Sequence, residues 1–100
     1  MNSTLMQAIQ SKTVIKINYR DETGSRLLEP FCYGMGGSNN ELLRAWEISG
    51  FSNHPDDVPN WRLFIVEDIS SIELTDNHFT GVRPSYNPND IAINRVYVHV

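Results

Sequence analysis

Residues 42–50 read LLRAWEISG, a run in which apolar and aromatic residues surround a single arginine. Residues of these types fit the pleated, half-buried surface of a sheet, so we predict that this run is the central strand of the domain. Alternate side chains of a strand share a face and stand roughly 7 Å apart at the backbone. Arg44 and Trp46 therefore share a face, and a guanidinium beside an indole suits the binding of a planar or anionic group.

The composition is that of one small domain. The chain has 100 residues, 40% of them hydrophobic, and we predict a single domain with one core over residues 1–100. Its 12 acidic and 8 basic residues give a net charge of −4, which disfavours holding nucleic acid by charge alone. The single cysteine, Cys32, leaves no intramolecular disulfide and favours a cytoplasmic location. We expect no signal peptide and no membrane span, because no apolar run approaches about 18 residues.

Apolar and polar residues alternate in several other stretches. The alternation is most regular in residues 13–20 and 93–100, with the period expected of strands. The remaining predicted elements are a short amphipathic helix at about 3–12 and strands at 26–33, 61–66 and 71–74. An irregular excursion begins near residue 76 and precedes the last strand. That last strand needs a partner edge, either in the same domain or on another copy of the chain.

No constellation of catalytic or metal-binding residues stands out. The three histidines lack the i, i+4 spacing of metal ligands. The neighbouring carboxylates at 56–57 and 67–68 point apart on an extended chain, and no serine is flanked by the glycines of a nucleophile turn. We therefore expect no enzyme activity, no catalytic residue, no metal and no cofactor.

The arginines are more informative. Arg26 and Arg62 would flank Arg44 if the strands follow one another as a meander. Guanidinium groups hold phosphates through bidentate hydrogen bonds, and Tyr19 or Trp46 offers a face on which a base can stack. The alternative stays open that Trp46 belongs to the core and that each arginine pairs with a nearby carboxylate. The candidate partners are Glu29, Glu47 and Glu67.

Five short motifs follow one another along the chain: INYR (17–20), GSRLLEP (24–30), LRAW (43–46), GFS (50–52) and WRLF (61–64). In order and spacing they resemble the WYL domain, a small Sm-like β-barrel found mainly in bacterial transcription regulators. The likeness covers roughly residues 5–80, and residues 86–87 and 96–98 are similar to the tail of stand-alone members. It implies a mainly β fold, with an Sm-like barrel of about five strands over about residues 13–75, the short N-terminal helix and an additional C-terminal strand.

The resemblance also implies a function. WYL domains are non-enzymatic, ligand-sensing modules that bind nucleotide-like effectors or short single-stranded nucleic acid in transcriptional or defence regulation. Carried over by position, the implied ligand-binding residues are Tyr19, Arg26, Arg44, Trp46, Ser52 and Arg62. The chain keeps only Leu43 of the name-giving triplet, and two positions that are often basic are here Ile65 and Asp68. These departures favour a small anionic ligand over a nucleic-acid strand.

Partners follow from the same resemblance. Most members carry a helix-turn-helix domain ahead of the barrel, and these 100 residues leave no room for one. A separate DNA-binding or effector protein, or self-association into a homo-oligomer such as a dimer, is therefore implied. A second interpretation is a protein-interaction or homo-oligomerisation β-barrel that uses the C-terminal strand.

Overall fold

Six antiparallel strands and one short helix are present in residues 2–100, the part of the chain that the computed structural model describes. Helix α1 spans Ser3–Gln10, and the strands are β1 (Thr13–Tyr19), β2 (Arg26–Gly36), β3 (Glu41–Gly50), β4 (Asn60–Ile65), β5 (Ile69–His78) and β6 (Ile93–His99). They form one sheet in the order β4-β3-β2-β1-β5, with β6 paired to the C-terminal half of β2. The prediction of a mainly β chain with a short N-terminal helix and a C-terminal strand is confirmed.

The largest differences in length from the prediction concern β2, β5 and α1. β2 continues to Gly36, instead of ending at 33, where it pairs with β6. β5 runs from Ile69 to His78, instead of over 71–74, because it pairs along the whole of β1. α1 ends at Gln10, and Lys12 takes a positive φ where the chain turns into β1. The run at 42–50 lies inside the sheet as predicted, but the strand with three partners is β2, which pairs with β1, β3 and β6.

The two faces of the sheet are covered by different parts of the chain. Leu43, Ala45 and Glu47 of β3 point to an inner face and are fully buried, whereas the alternate residues Arg44 and Trp46 point to the outer face. Helix α1 packs on the inner face, since its buried side chains recur at i, i+3 and i+4. Those side chains are Leu5, Ala8 and Ile9.

Residues 79–92 connect β5 to β6 and lie across the outer face; we call them the 79–92 segment. Phe31 sits at a bulge in β2 and is fully buried against this segment. Its ring centroid lies 4.9 Å from that of Trp61 in β4, 5.4 Å from that of Phe79 and 5.0 Å from that of Tyr86. The segment is therefore packed on an aromatic cluster of its own, separate from the aliphatic core under α1.

Candidate functional site

A cleft of about 300 Å³ opens on the outer face, between the sheet and the 79–92 segment. Its walls combine one cation, one anion, two aromatic rings and two small polar side chains, a mixture typical of ligand sites. The lining residues are Arg44, Trp61, Ser85, Tyr86, Asn87, Asp90 and Ile91.

The aromatic wall is held rigidly. Tyr86 stacks on Trp61 with 5.7 Å between ring centroids and 28° between ring planes. The Trp61 indole N–H donates to the carbonyl of Pro84 at 2.9 Å, and Trp46 meets the Trp61 ring edge-on at 5.3 Å. The polar N–H of Trp61 is satisfied by Pro84, and the ring is held between Trp46 and Tyr86. This wall can therefore offer a fixed apolar surface to a planar ligand.

The charged wall is a single ion pair. Arg44 donates from Nε to Oδ2 of Asp90 at 2.5 Å, and the two side chains are 24% and 13% exposed. The Arg44 hydrogen bond is the main reason that the pKa of Asp90 lies below its usual value, and the Ala92 N–H at 3.0 Å from Oδ1 lowers it further. Within residues 2–100, Nη1 and Nη2 of Arg44 have no hydrogen-bond partner. Two donors of this guanidinium are therefore open to an added anion.

Two polar groups are buried close to the ion pair. Cys32 lies opposite Arg44 in the β2–β3 ladder and is 2% exposed. Burial raises the pKa of its thiol to about 11, and the charge of Asp90 contributes. The thiol is therefore protonated at neutral pH and is no nucleophile. The Tyr86 hydroxyl is also buried, has no hydrogen-bond partner within residues 2–100, and has a pKa raised by burial.

Of the six residues singled out by sequence, Arg44 lines the cleft and Trp46 lies beside it on the same face. Trp46 is half-buried, and the guanidinium of Arg83 stands 5.2 Å from its ring centroid. Arg83 also binds both oxygens of Glu29, at 2.8 and 2.7 Å. Trp46 is thus covered by the 79–92 segment instead of standing open beside Arg44.

Arg26 and Arg62 do not join this cluster, because they point to the inner face. Arg62 pairs with Ala45 in the β3–β4 ladder, and directly paired residues share a face. Nη1 of Arg26 and Nε of Arg62 approach the same oxygen of Glu47, at 2.8 and 3.3 Å. Glu22 binds Arg26 through both of its oxygens, at 3.0 and 2.7 Å. These two arginines are paired with carboxylates, as the alternative interpretation allowed.

The centre of this inner network is the fully buried Glu47. Burial raises the pKa of its carboxyl, and the charges and hydrogen bonds of Arg26 and Arg62 oppose that effect without cancelling it. The pKa of Arg26 is raised, mainly by its hydrogen bonds to Glu22. Oε2 of Glu47 has no hydrogen-bond partner in the part of the chain described.

Tyr19 and Ser52 also serve the inner face. The Tyr19 hydroxyl accepts a hydrogen bond from the Ile65 N–H at 3.0 Å, and its ring meets Phe64 edge-on at 4.9 Å. Ser52 accepts from Nη2 of Arg62 at 3.3 Å. Both residues therefore hold strands and a loop together on the face opposite the cleft.

The sequence did not point to the residues that the 79–92 segment contributes to the cleft. This stretch was predicted to be an irregular excursion, which has no periodicity to assign faces. The only local sign was the density of turn-forming residues around one tyrosine, in SYNPND at 85–90.

Comparison with protein-family models gives no match, and comparison with curated proteins gives none either. Over residues 2–100, no helix is long and apolar enough to cross a membrane. In the same residues, no group of three or more histidine, cysteine or acidic side chains is placed to hold a metal ion.

Proposed function

We propose that this chain is a WYL-like, non-enzymatic sensing module, and that its ligand is a small planar anion of nucleotide type. The observation that carries the proposal is the cleft, in which Nη1 and Nη2 of Arg44, which have no partner within residues 2–100, lie beside the Trp61–Tyr86 stack. A phosphate or carboxylate would bind those N–H groups in bidentate fashion, and the attached ring would stack on the aromatic wall.

The charge of the cleft favours a ligand with one anionic group. Asp90 neutralises Arg44, and no other cation lines the cleft. Arg26 and Arg62 are engaged with carboxylates on the other face. A polyphosphate or a long nucleic-acid strand would find no further cations here, whereas a single phosphate needs only the free donors of Arg44.

We also propose that the sheet is a variant of the Sm-like barrel. β4 and β5 are the two ends of the main strand order, yet only the turn Val66–Asp68 separates them along the chain, so these ends lie close together. The hydrogen bond from the Ile65 N–H to the Tyr19 hydroxyl ties β4 to β1 from the inner side. Both features favour a strongly curved sheet of this type.

A calorimetric titration with adenosine 5′-monophosphate, adenosine and a short oligothymidylate tests the function. We expect the monophosphate to bind more tightly than adenosine, and Arg44→Gln to weaken it by about tenfold or more, the value of a charged hydrogen bond. Arg95→Gln is the matched control, because Arg95 is exposed on β6 and lies outside the cleft. Equal binding by the wild type and Arg44→Gln, or no binding to any probe, would count against the proposal.

The second candidate function is association of two copies through β6. The strand pairs with β2 on one side only, and Val96 in it is 41% exposed. An edge of this kind is a template for strand pairing. Light scattering of Val96→Lys, compared with Val82→Lys on the 78% exposed Val82, is the test. Loss of a dimer in the first variant alone favours this function, and a monomeric wild type excludes it.

A further inference from the structure

We infer that, if the proposed function holds, Asp90 is a built-in competitor for the anionic group of the ligand. Its carboxylate already binds Nε of Arg44, so a phosphate or carboxylate that binds Nη1 and Nη2 competes for the charge of this guanidinium with an acid belonging to the chain itself. Ligand binding would then weaken the Arg44–Asp90 contact that holds the 79–92 segment to the sheet at this point.

The Arg44–Asp90 pair combines two features that no other buried ion pair within residues 2–100 shares. Glu29 and Glu47 belong to β2 and β3, and Glu22, which lies outside any strand, shares its arginine with Glu47. Asp90 lies outside any strand, in the irregular segment, and is the one acid paired with Arg44 within residues 2–100. The backbone at Asp90 can therefore move away from Arg44 without breaking a strand ladder.

The hydrogen bonds of Asp90 favour exchange with a ligand. Its Oδ2 accepts one hydrogen bond from Nε of Arg44, while its Oδ1 accepts from the Ala92 N–H. The carboxylate thus divides its two oxygens between the arginine and its own segment. A ligand phosphate would bind two N–H groups of Arg44 at once, which is the stronger arrangement. The negative charge of Asp90 would lower the affinity of Arg44 for the anion as long as its carboxylate stays at Nε.

Asp90 also connects the cleft to β6. Its side chain accepts from the Ala92 N–H at 3.0 Å, and its carbonyl accepts from the N–H of Ile93, the first residue of β6, at 3.2 Å. When Asp90 moves away from Arg44, the acceptor atoms of these two hydrogen bonds are no longer held in place, and both bonds weaken. Occupation of the cleft is thereby transmitted to the start of the C-terminal strand.

The affinity test compares Asp90→Asn with the wild type, using adenosine 5′-monophosphate and adenosine as probes. Asparagine keeps the shape and can still accept from the Ala92 N–H, but it no longer carries the competing charge. We expect the monophosphate to bind Asp90→Asn about tenfold more tightly than the wild type, as for loss of a charged hydrogen bond, with adenosine unchanged. Equal or weaker binding of the monophosphate by Asp90→Asn would overturn the inference, because Asp90 would then only orient Arg44.

The two proposals fail in different ways. If the wild type binds the monophosphate in an Arg44-dependent manner but Asp90→Asn binds no more tightly, the competitor role is wrong and the proposed function stands. If neither protein binds either probe, both are wrong.

Amide hydrogen exchange gives a readout that does not depend on a variant. With saturating monophosphate, we expect faster exchange at Ala92 and Ile93 of the wild type, while the core amide of Ile15 is unchanged. Unchanged exchange at Ala92 and Ile93, in a sample shown by calorimetry to be saturated, would overturn the coupling to β6.

Discussion

Replacing Arg26 with methionine tests the charge network on the inner face, and its effect on stability follows from the bonds that are lost. The Arg26 side chain is 6% exposed and donates to both oxygens of Glu22 and to Oε1 of Glu47. Methionine fills much of the volume but carries no donor. The fully buried Glu47 then keeps only Arg62, whose Nε lies 3.3 Å from Oε1.

The expected loss is large for a domain of this size. Breaking a buried ion pair by removing one partner costs about 3–5 kcal/mol, because the remaining charge stays buried with too little compensation. The whole free energy of unfolding of such a domain is about 5–15 kcal/mol. With a urea slope on the order of 1.5 kcal/mol per molar, the midpoint of unfolding falls by about 2–3 M.

The pH dependence separates this mechanism from a simple loss of packing. Burial already raises the pKa of Glu47, and Arg26 is one of the two residues that oppose the shift. Without Arg26, this pKa rises further in the folded state. A carboxyl with a raised pKa binds more protons when folded than when unfolded, so its contribution to stability is retained below the unfolded pKa and lost as the pH rises through the folded pKa. The loss in Arg26→Met is therefore expected to be larger at pH 8 than at pH 5.

Urea unfolding followed by tryptophan fluorescence at these two pH values measures both effects. Arg95→Met is the control, because the exposed Arg95 takes part in no ion pair within residues 2–100, and a surface change of this kind stays within about 0.5 kcal/mol. A loss below about 1 kcal/mol at pH 8 for Arg26→Met would refute the reasoning. So would a larger loss that is the same at both pH values.

Two further predictions concern β2. Gly34→Ala would place its Cβ against the Arg95 carbonyl and a methyl group of Ile93, so we expect the free energy of urea unfolding to fall by about 1–3 kcal/mol. Gly24→Ala is the control, because its Cβ would meet only Phe51, at ordinary contact distance. Equal losses in the two variants would contradict the β2–β6 pairing. Cys32 should react with a thiol reagent at pH 8 about 100-fold more slowly than in the urea-unfolded chain, since its pKa rises from 9.0 to about 11. Equal rates would show that the thiol is accessible.

Alternation along single strands could be predicted from the sequence, but the pairing between strands could not. That Arg44 and Trp46 share a face follows from their spacing alone. The face of Arg62 depends on its register with β3, where it pairs with Ala45. A shift of one residue would have moved Arg62 to the face of Arg44, and nothing in the sequence of β4 excludes that shift.

The cleft was harder still to predict, because half of it comes from a stretch without periodicity. Trp61 and Arg44 lie in strands that the sequence indicated, whereas Tyr86 and Asp90 lie 25 and 46 residues further along the chain, respectively, in the 79–92 segment. The contacts that bring them together are a ring stack and one ion pair. Neither type of contact leaves a repeating pattern in the sequence.

The cost of freeing each arginine decides which of them can bind a ligand. Arg26 would have to give up three hydrogen bonds to two carboxylates and leave Glu47 buried with one partner. Arg44 has one such bond, to an acid outside the strands, and its Nη1 and Nη2 are already free within residues 2–100. An added anion must offset the bonds it breaks as well as its own desolvation, so of these two arginines we expect Arg44 to gain from binding. We therefore expect the proposed sensing role to belong to the face that the 79–92 segment covers.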